Sequence, residues 1–315
     1  MRIAFVLNPA AQGGRARRVW PRLDAAAQAL GLDHSVWQTL EPGDGARLAR
    51  GLRETADLVV AVGGDGTVQE VASALAGTDT PFGVVPVGTG NDFAHAVGMP
   101  RRLDAALRAL VETRPQRVDV GRVAWLDAGG RRGERLFTNC LGAGLDAQAA
   151  LEAARYKVVS GRPAYLAGIL RSLWVWRAPR ADVEVSVGDA IATEGGPCAT
   201  PIFEGPAILC EVGNGPTVGG GFRITPDAVL TDGLLDVCAV RHVPPRRVLA
   251  LLPRAVAGTH AGQPEVVMAR APAVAVRARR GSLPLQADGE SVTASAVWTS
   301  AAVWPGGLWV VAPGL

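Results

Sequence analysis

The sequence predicts two domains of different class: an N-terminal α/β domain built on a parallel sheet, and a C-terminal antiparallel β-sandwich. Up to residue 121, short apolar runs alternate with helical patterns, which is typical of βα units in a sheet covered on both faces. Beyond residue 121, apolar and polar residues alternate at period two between glycine and proline turns, which is typical of antiparallel sheets. We therefore place the α/β domain at 1–121, completed by about 296–315, and the sandwich at 122–295.

The N-terminal elements follow one another as βα units require. Strands are predicted at short apolar runs, namely 3–7, 35–39, 58–62, 82–85 and 117–120. Helices are predicted where apolar residues recur at helical spacing, namely 20–30, 44–54, 67–76 and 103–111. The loops at the carboxyl ends of these strands are expected to form a ligand crevice.

The C-terminal elements are mostly strands. Period-two alternation is clearest at 181–187, 273–278 and 283–287, and helical patterns interrupt it at 163–176 and 246–259. The last apolar run, Leu308 to Ala312, is continuous, so we expect the chain end to return to the first domain.

Composition excludes several classes of protein. The 315 residues are 48% hydrophobic and carry a net charge of only +3, with basic residues scattered, so nucleic acid is not an expected partner. The cysteines at 140, 198, 210 and 238 lack CxxC spacing, which indicates reduced thiols and favours the cytoplasm. The first apolar run is too short for a signal peptide, and no run reaches about 18 apolar residues, so any membrane contact is expected to be peripheral.

Gly63-Gly64-Asp65-Gly66-Thr67 lies between an apolar strand pattern and a helical pattern. Glycines let the backbone approach a ligand, and a helix N-terminus offers free N–H groups, so the expected guest is phosphate. Asp65 would repel phosphate unless a metal ion or a bound hydroxyl group offsets it, which favours magnesium-nucleotide chemistry. An ordinary tight turn is the alternative. The stretch matches neither the Walker A pattern nor GxGxxG.

Two further turns also follow predicted strands and could bind phosphate. After the strand at 82–85, Gly88 and Gly90 flank Thr89, and we expect Asn91 or Asp92 to cap the next helix. A plain helix cap is the alternative. After the first strand, Asn8 opens a turn that leads to arginines at 15, 17 and 18; these form a solvated helix face, or one of them contacts phosphate.

These turns resemble those of the diacylglycerol kinase catalytic-domain family, and more closely its soluble bacterial lipid kinases, related to diacylglycerol and sphingosine kinases. Further matching segments follow in order along nearly the whole chain: 119–121, 137–146, 214–215 with 219–221, 226–228, 232–236 and 288–290. The first turn departs from the family pattern Asn-Pro-x-Ser-Gly, because residues 8–12 read Asn-Pro-Ala-Ala-Gln.

The resemblance implies a nucleotide-binding domain similar to those of phosphofructokinase and NAD kinase, a C-terminal β-sandwich, and a site in the cleft between them. ATP with Mg²⁺ would be the phosphate donor and a lipid hydroxyl the acceptor. Carried over by position, the nucleotide contacts are Asn8, Thr39, Gly63, Gly64, Asp65, Gly66, Thr67, Val68, Gln69 and Thr89.

The resemblance also implies catalytic and metal-binding residues. Glu290 would accept the proton with Asp288 beside it, although which of the two is the base is open, and the same residues fit a plain hairpin turn. A structural magnesium ion would be bound by Asp232 with the carbonyls of Val229 and Leu234.

Three aspartates that follow strands, Asp65, Asp92 and Asp119, could hold magnesium through water molecules. The alternatives are a helix cap for Asp92 and an arginine partner for Asp119. Lys157 is the only lysine among 32 basic residues, and it either supports this aspartate network or is a chance remnant.

The predicted helix 163–176 carries an apolar stripe with basic flanks. The stripe consists of Tyr165, Leu166, Ile169, Leu170, Leu173, Trp174 and Trp176, with Arg171, Arg177 and Arg180 nearby. A membrane-facing surface and ordinary core packing are both open.

The sequence therefore predicts an ATP-dependent lipid kinase, peripheral to the inner face of the membrane, that phosphorylates diacylglycerol or a related lipid. A soluble kinase of the NAD kinase type and a catalytically silent nucleotide- or lipid-binding module are the alternatives. The acceptor lipid, the preferred nucleotide and the oligomeric state, a homodimer among the options, are left open.

Overall fold

The computed structural model describes residues 1–153, 162–175, 181–190 and 200–315. The chain divides into two compact units, one formed by Met1–Asp119 with Pro305–Leu315 and the other by Val120–Trp304. The predictions at Lys157, Trp176, Arg177, Arg180 and Cys198 lie outside the described residues, as do those on the side chains of Tyr165 and Trp174.

The first unit is built from alternating strands and helices. Its elements are β1 (Arg2–Leu7), α1 (Ala11–Ala29), β2 (Asp33–Gln38), α2 (Asp44–Leu52), β3 (Leu58–Gly63), α3 (Asp65–Leu75), β4 (Phe82–Pro86), α4 (Asp92–Ala96) and α5 (Leu103–Glu112). Four strands pair in parallel in the order β4-β3-β1-β2. Every residue of β3 is buried, which explains its unbroken apolar sequence.

The second unit is mostly antiparallel. Its elements are β5 (Gln116–Asp127), β6 (Arg132–Phe137), β7 (Cys140–Gly144), α6 (Leu145–Ala153), α7 (Arg162–Val175), β8 (Asp182–Gly188), β9 (Thr200–Gly213), β10 (Leu235–Arg241), α8 (Pro245–Ala257), β11 (Val266–Ala271), β12 (Ala273–Arg280), β13 (Leu283–Ala287) and β14 (Glu290–Val310). Strands β5 and β14 cross the boundary between the units. The end of β14 pairs in parallel with β4, through Val310 and Phe82.

Antiparallel strands of the second unit form a closed ring of hydrogen-bonded neighbours. Hydrogen bonds connect β9, β7, β13, β14, β12 and β8 in turn, and β8 pairs again with β9. The 14-residue β9 and the 21-residue β14 make this possible, because each pairs with different neighbours along its length. The apolar core of the unit, which includes Val183, Phe203 and Leu285, is fully buried.

The predicted fold class is confirmed: a parallel-sheet α/β unit and an antiparallel sandwich, whose strand ladder forms a closed ring. The two helices predicted in the sandwich are present as α7 and α8. Among the helices that the structure describes, none combines the length and apolar content needed to span a bilayer.

Candidate active site

The glycine-rich turn after β3 leads directly into α3. Helix α3 begins at Asp65, and its N-cap residue is Gly64, so no side chain caps the helix. The first N–H groups of a helix have no acceptor within the helix, and the helix dipole places partial positive charge there. This N-terminus can therefore bind an anionic group such as phosphate.

Side-chain contacts connect this turn to the one after β1. Asn8 Nδ2 donates a hydrogen bond to Thr67 Oγ1 at 3.0 Å. Thr67 packs against Gly63 so closely that a Cβ atom on Gly63 would lie 2.6 Å from Thr67 Oγ1. The glycine at position 63 is therefore required by the packing of Thr67 as well as by any ligand.

Asp65 connects the turn after β3 to the turn after β4. Its Oδ2 accepts the N–H of Asn91 and its Oδ1 accepts the N–H of Asp92, each at 2.9 Å. The backbones also touch, since a Cβ atom on Gly88 would lie 2.6 Å from the Cα of Gly64. The turns after β1, β3 and β4 thus form one continuous surface.

Of the two predicted capping residues, Asn91 and Asp92, it is Asn91 that takes the N-cap position, but the prediction of a side-chain cap from it is wrong. Asn91 occupies the N-cap position of α4 in the left-handed conformation, but it forms no side-chain cap, and its Nδ2 donates to the carbonyl of Gly88 at 2.9 Å. The carboxylate that accepts N–H groups at the start of α4 is Asp65, from the neighbouring turn. Asp65 therefore holds the start of α4 against the turn after β3.

The other residues that were predicted to bind the nucleotide differ in their exposure to solvent. Thr89 is exposed at the tip of its turn, whereas Thr39 is buried and donates its N–H to the carbonyl of Leu7. Gln69 is buried and donates to Ser73 Oγ at 2.9 Å. The side chain of Val68 lies in the core, and its N–H donates to the carbonyl of Gly64, so neither can contact a nucleotide.

The first turn is irregular. Gln12, Gly13 and Gly14 all have positive φ angles, and α1 becomes regular only after them. Arg15 and Arg18 fold back onto this segment, donating to the Gln12 side chain at 2.9 Å and to the Gly13 carbonyl at 3.3 Å. Both arginines, like Arg17, are exposed.

The supporting aspartates are buried. Asp119 Oδ1 accepts the N–H of Gly306 at 2.8 Å, which holds the returning chain end against β5 within the first unit. Asp92 is buried at the start of α4.

In the second unit, Asp288 and Gly289 form the two-residue loop of the β13–β14 hairpin. Ala287 pairs with Glu290, and both loop residues have positive φ angles, of 50° and 81°. Positive φ at both positions is the type I′ geometry that two-residue hairpins favour. The structure therefore confirms the hairpin interpretation, which is compatible with catalysis.

Asp288 is held by the chain segment before β7. Its carboxylate accepts hydrogen bonds from the N–H and the hydroxyl of Thr138 and from the N–H groups of Asn139 and Cys140, at 2.7 to 3.0 Å. Burial raises the pKa of the Asp288 carboxyl above its usual value, while these donors act in the opposite direction. With its acceptor positions occupied, Asp288 anchors the loop and is poorly placed to act as a base.

Glu290 has the opposite environment. Its side chain is 45% exposed, and Oε2 accepts a hydrogen bond from Arg135 Nη2 at 2.6 Å. Of the two acidic residues of the loop, Glu290 is therefore the one that can reach a substrate. Arg135 was not predicted, because nothing in the local sequence of β6 distinguishes it from the other basic residues there.

The predicted metal loop contains an ion pair. Asp232 Oδ1 accepts the N–H of Leu234 at 3.0 Å, and Oδ2 contacts the guanidinium of Arg270, which also pairs with Asp236 at 3.2 Å. Val229 is exposed. No cluster of three or more potential metal-ligating side chains occurs among the described residues. As arranged, the loop fits an arginine, and a magnesium ion would have to displace Arg270.

An apolar pocket with a cavity volume of about 80 Å³ lies beside the sandwich in the second unit. Its lining comes from several elements and includes Leu145, Ile169, Ile208, Val240, Val248 and Leu251. The polar side chains along it are Asp146 and His260. Burial lowers the pKa of His260, so its ring is neutral near pH 7.

The apolar stripe of α7 divides between two faces. Ile169 is buried against the pocket, and Leu173 packs against the same apolar clusters. Leu166 and Leu170 are 39% and 47% exposed, and Arg171 pairs with the buried Glu152 at 2.8 Å. Core packing thus accounts for one face of the helix, and the other is an exposed apolar surface.

Comparison with known proteins agrees with this architecture. Residues 2–123 match the diacylglycerol kinase catalytic domain, and residues 139–312 match the YegS C-terminal NAD kinase beta sandwich-like domain. A "Probable lipid kinase YegS-like" of Chromohalobacter salexigens is 33% identical over 286 residues, which cover 89% of this chain and 84% of that protein. A "Diacylglycerol kinase" of Mycobacterium tuberculosis is 30% identical over 244 residues, covering 77% of this chain and 73% of that protein.

The fold has also been seen in a crystal structure. A diacylglycerol kinase from Bacillus anthracis aligns over 99% of this chain and 97% of that chain with a TM-score of 0.73, at 20% sequence identity. At this identity the likeness establishes the shared fold. The sequence matches show that the chain belongs to the diacylglycerol kinase family of bacterial lipid kinases.

Proposed function

We propose that this protein is an ATP-dependent lipid kinase that transfers the γ-phosphate of ATP to a free hydroxyl group of diacylglycerol or a related lipid. A new bond forms between the acceptor oxygen and phosphorus, the bond from phosphorus to ADP breaks, and the hydroxyl proton passes to a carboxylate. Phosphoryl transfer depends mainly on positioning and on neutralising charge.

The first unit supports the donor side of this reaction. The uncapped N-terminus of α3 and the surface formed by the turns at Asn8, Gly64 and Gly88 suit the phosphates of a nucleotide. Mg²⁺ bound with ATP would neutralise phosphate charge, and the Asp65 carboxylate, fixed by the N–H groups of Asn91 and Asp92, would orient its water ligands.

Glu290 supports the acceptor side. Because it is exposed while Asp288 is buried and occupied by hydrogen bonds, Glu290 is assigned as the proton acceptor and Asp288 as the residue that fixes the loop. The guanidinium of Arg135 holds the Glu290 side chain from β6.

The apolar pocket of the second unit is the observation that favours a lipid acceptor. Its lining is almost wholly aliphatic, which suits hydrocarbon chains and not a dinucleotide or a sugar phosphate. Asp146 lines the pocket and accepts a hydrogen bond from Gln286, two residues before Asp288. The pocket therefore reaches the neighbourhood of the acceptor loop within the second unit.

The proposal includes peripheral contact with the inner face of the membrane. Leu166 and Leu170 expose apolar surface on α7, the helix that also contributes Ile169 to the pocket. Such a surface can insert among lipid headgroups without spanning the bilayer. Cosedimentation with anionic vesicles should be reduced when both leucines are changed to serine.

The proposed function is tested by transfer of radiolabelled γ-phosphate from ATP. The acceptors are diacylglycerol, ceramide, sphingosine, phosphatidylglycerol and NAD, each presented to the full-length protein with and without Mg²⁺. We expect Mg²⁺-dependent labelling of a lipid. Labelling of NAD alone would overturn the lipid assignment, and the absence of any labelled product would support a silent binding module.

A further inference from the structure

Three neighbouring strands place a glycine between two polar side chains in the interior of the second unit. Gly142 of β7 is directly opposite Glu211 of β9 on one side and Gln286 of β13 on the other. Directly opposite residues share a face of the sheet, so the side chains of Glu211 and Gln286 extend over the glycine. Both are almost completely buried.

Asp146, from the first turn of α6, joins them above Gly142. A Cβ atom on Gly142 would clash with the carboxylate of Asp146 and would lie 2.7 Å from Gln286 Nε2 and 2.8 Å from Glu211 Oε2. Gln286 Nε2 donates to Asp146 Oδ2 at 2.5 Å. The absence of a side chain at position 142 is therefore what allows the three groups to meet.

The carboxyl group of Glu211 is completely buried. No N–H or amide donor in the described part of the chain reaches either of its oxygens, and an ionised carboxylate without donors is strongly disfavoured in the interior. The titratable groups around it are the carboxyl groups of Asp146 and Asp288 and the thiols of Cys140, Cys210 and Cys238. Burial and the charge of Asp146 raise the pKa of Glu211 well above its usual value, so its proton can be shared with Asp146.

The other end of Gln286 contacts the acceptor loop. Its Oε1 accepts the N–H of Gly289 at 2.6 Å, immediately before Glu290. An amide group can present either its oxygen or its NH₂ to a given neighbour. Because Asp146 accepts a hydrogen bond from Nε2, the oxygen is the atom left facing Gly289.

We propose that Gln286 is a positioning residue for the Asp288-Gly289-Glu290 loop, and that Glu211 and Asp146, sharing one proton, fix the orientation of its amide. This inference rests on the proposed role of Glu290 in the reaction. Loss of the shared proton at high pH would place two charges beside Gln286, and full protonation at low pH would let the amide reverse and present NH₂ to the Gly289 N–H.

Three variants test the inference. Gln286→Met keeps the length of the side chain and removes both hydrogen bonds. Glu211→Gln keeps a neutral donor to Asp146, whereas Glu211→Met removes it. Glu265→Gln is the matched control, because Glu265 is also buried in the second unit but pairs with Arg247 on α8.

Two measurements are made on variants whose thermal melting remains cooperative. Exchange of the Gly289 amide proton, followed by NMR, reports on the loop without any substrate. We expect exchange to be about tenfold faster in Gln286→Met and Glu211→Met than in the wild type, and unchanged in Glu211→Gln and Glu265→Gln. Steady-state kinetics should show kcat lower by roughly 10- to 100-fold in the same two variants, with KM for ATP unchanged.

The pH profile separates a positioning role from a merely structural one. In the wild type, kcat should fall at alkaline pH as the shared proton is lost, and Glu211→Gln should remove this alkaline decrease.

Two outcomes would contradict the inference. If the Gly289 amide exchanges as slowly in folded Gln286→Met as in the wild type, the positioning role is overturned. If Glu211→Gln exchanges as fast and has a kcat as low as Glu211→Met, the shared proton is overturned. If Gln286→Met does not fold, the two Glu211 variants decide the question. If the wild type labels no lipid, the proposed function fails, and amide exchange still tests the inference.

Discussion

The candidate sites in the two units are formed by different parts of the chain. In the first unit the site is mainly backbone: glycines at 63, 64 and 88, the start of α3, and one carboxylate that holds two N–H groups. In the second unit the site consists of side chains from distant strands, in which Asp288 is held by residues 138–140 and Glu290 by Arg135. A site formed by backbone groups uses residues that are adjacent in the sequence. A site formed by side chains depends instead on how distant strands pair.

The largest expected effect comes from removing the proposed proton acceptor. Glu290→Ala should lower kcat by roughly 10² to 10⁴ fold, because a positioned general base contributes about that much. Its thermal stability should change little, since an exposed ion pair contributes little to stability. The matched control is Glu112→Ala, at an exposed position on α5. A kcat close to that of the wild type would remove Glu290 from this role and leave the second unit without a catalytic side chain.

The second prediction concerns Asp65, whose carboxylate joins two turns of the backbone site. Asp65→Asn should lower kcat by roughly 100-fold and weaken the dependence on Mg²⁺, because one of its two backbone acceptor contacts is replaced by an NH₂ group and the negative charge is lost. The variant is compared with Asp104→Asn, at an exposed position on α5, in a magnesium titration of phosphoryl transfer. An unchanged titration curve would contradict the metal role of Asp65.

The same contrast explains what could be predicted from sequence. The βα alternation and the period-two strands predict the two domain classes, because each pattern follows from which faces of a sheet are buried. The glycine turns were likewise visible, since strand, turn and helix are adjacent in the chain. The contact between Gly64 and Gly88 and the capping of α4 by Asp65 were not, because they depend on how two turns pack.

The second unit was harder to predict for the same physical reason. Asp288 meets donors about 150 positions earlier in the chain, which only the pairing of β13 with β7 determines. Arg135, Glu211 and Gln286 carry no local signal, since a charged or amide residue in an alternating strand is usually exposed. Gly142 lies inside the matching segment at 137–146, but its sequence does not show which groups approach it.

The third prediction tests whether the site in the first unit depends on the close contact between the backbones of Gly64 and Gly88. Gly88→Ala would place a Cβ atom 2.6 Å from the Cα of Gly64, so the two turns must separate. We expect a rise in KM for ATP and a loss of about 1–3 kcal/mol in the free energy of unfolding, the usual cost of overpacking. The control is Gly51→Ala in α2, where an added Cβ meets nothing within 4 Å. That variant should be neutral or slightly stabilising, because alanine favours helix over glycine.

A normal KM and normal stability in Gly88→Ala would show that the turns adjust freely. The site in the first unit would then depend mainly on the Asp65 side chain. The two units would then differ less in how their sites are built.

The smallest expected effect is a pH dependence that belongs to the second unit. Burial raises the pKa of Glu211 well above its unfolded value near 4.5, so the folded state keeps a proton that the unfolded state has lost. The wild-type free energy of unfolding should therefore fall as pH rises above about 4.5, until the folded-state pKa is passed, by at most about 1.4 kcal/mol per pH unit from this one group. Glutamine binds no such proton, so the stability of Glu211→Gln relative to the wild type should increase with pH over that window.

Urea unfolding between pH 5 and 8 measures the difference in the free energy of unfolding between Glu211→Gln and the wild type. A difference that does not vary with pH would mean that Glu211 is already ionised in the folded protein.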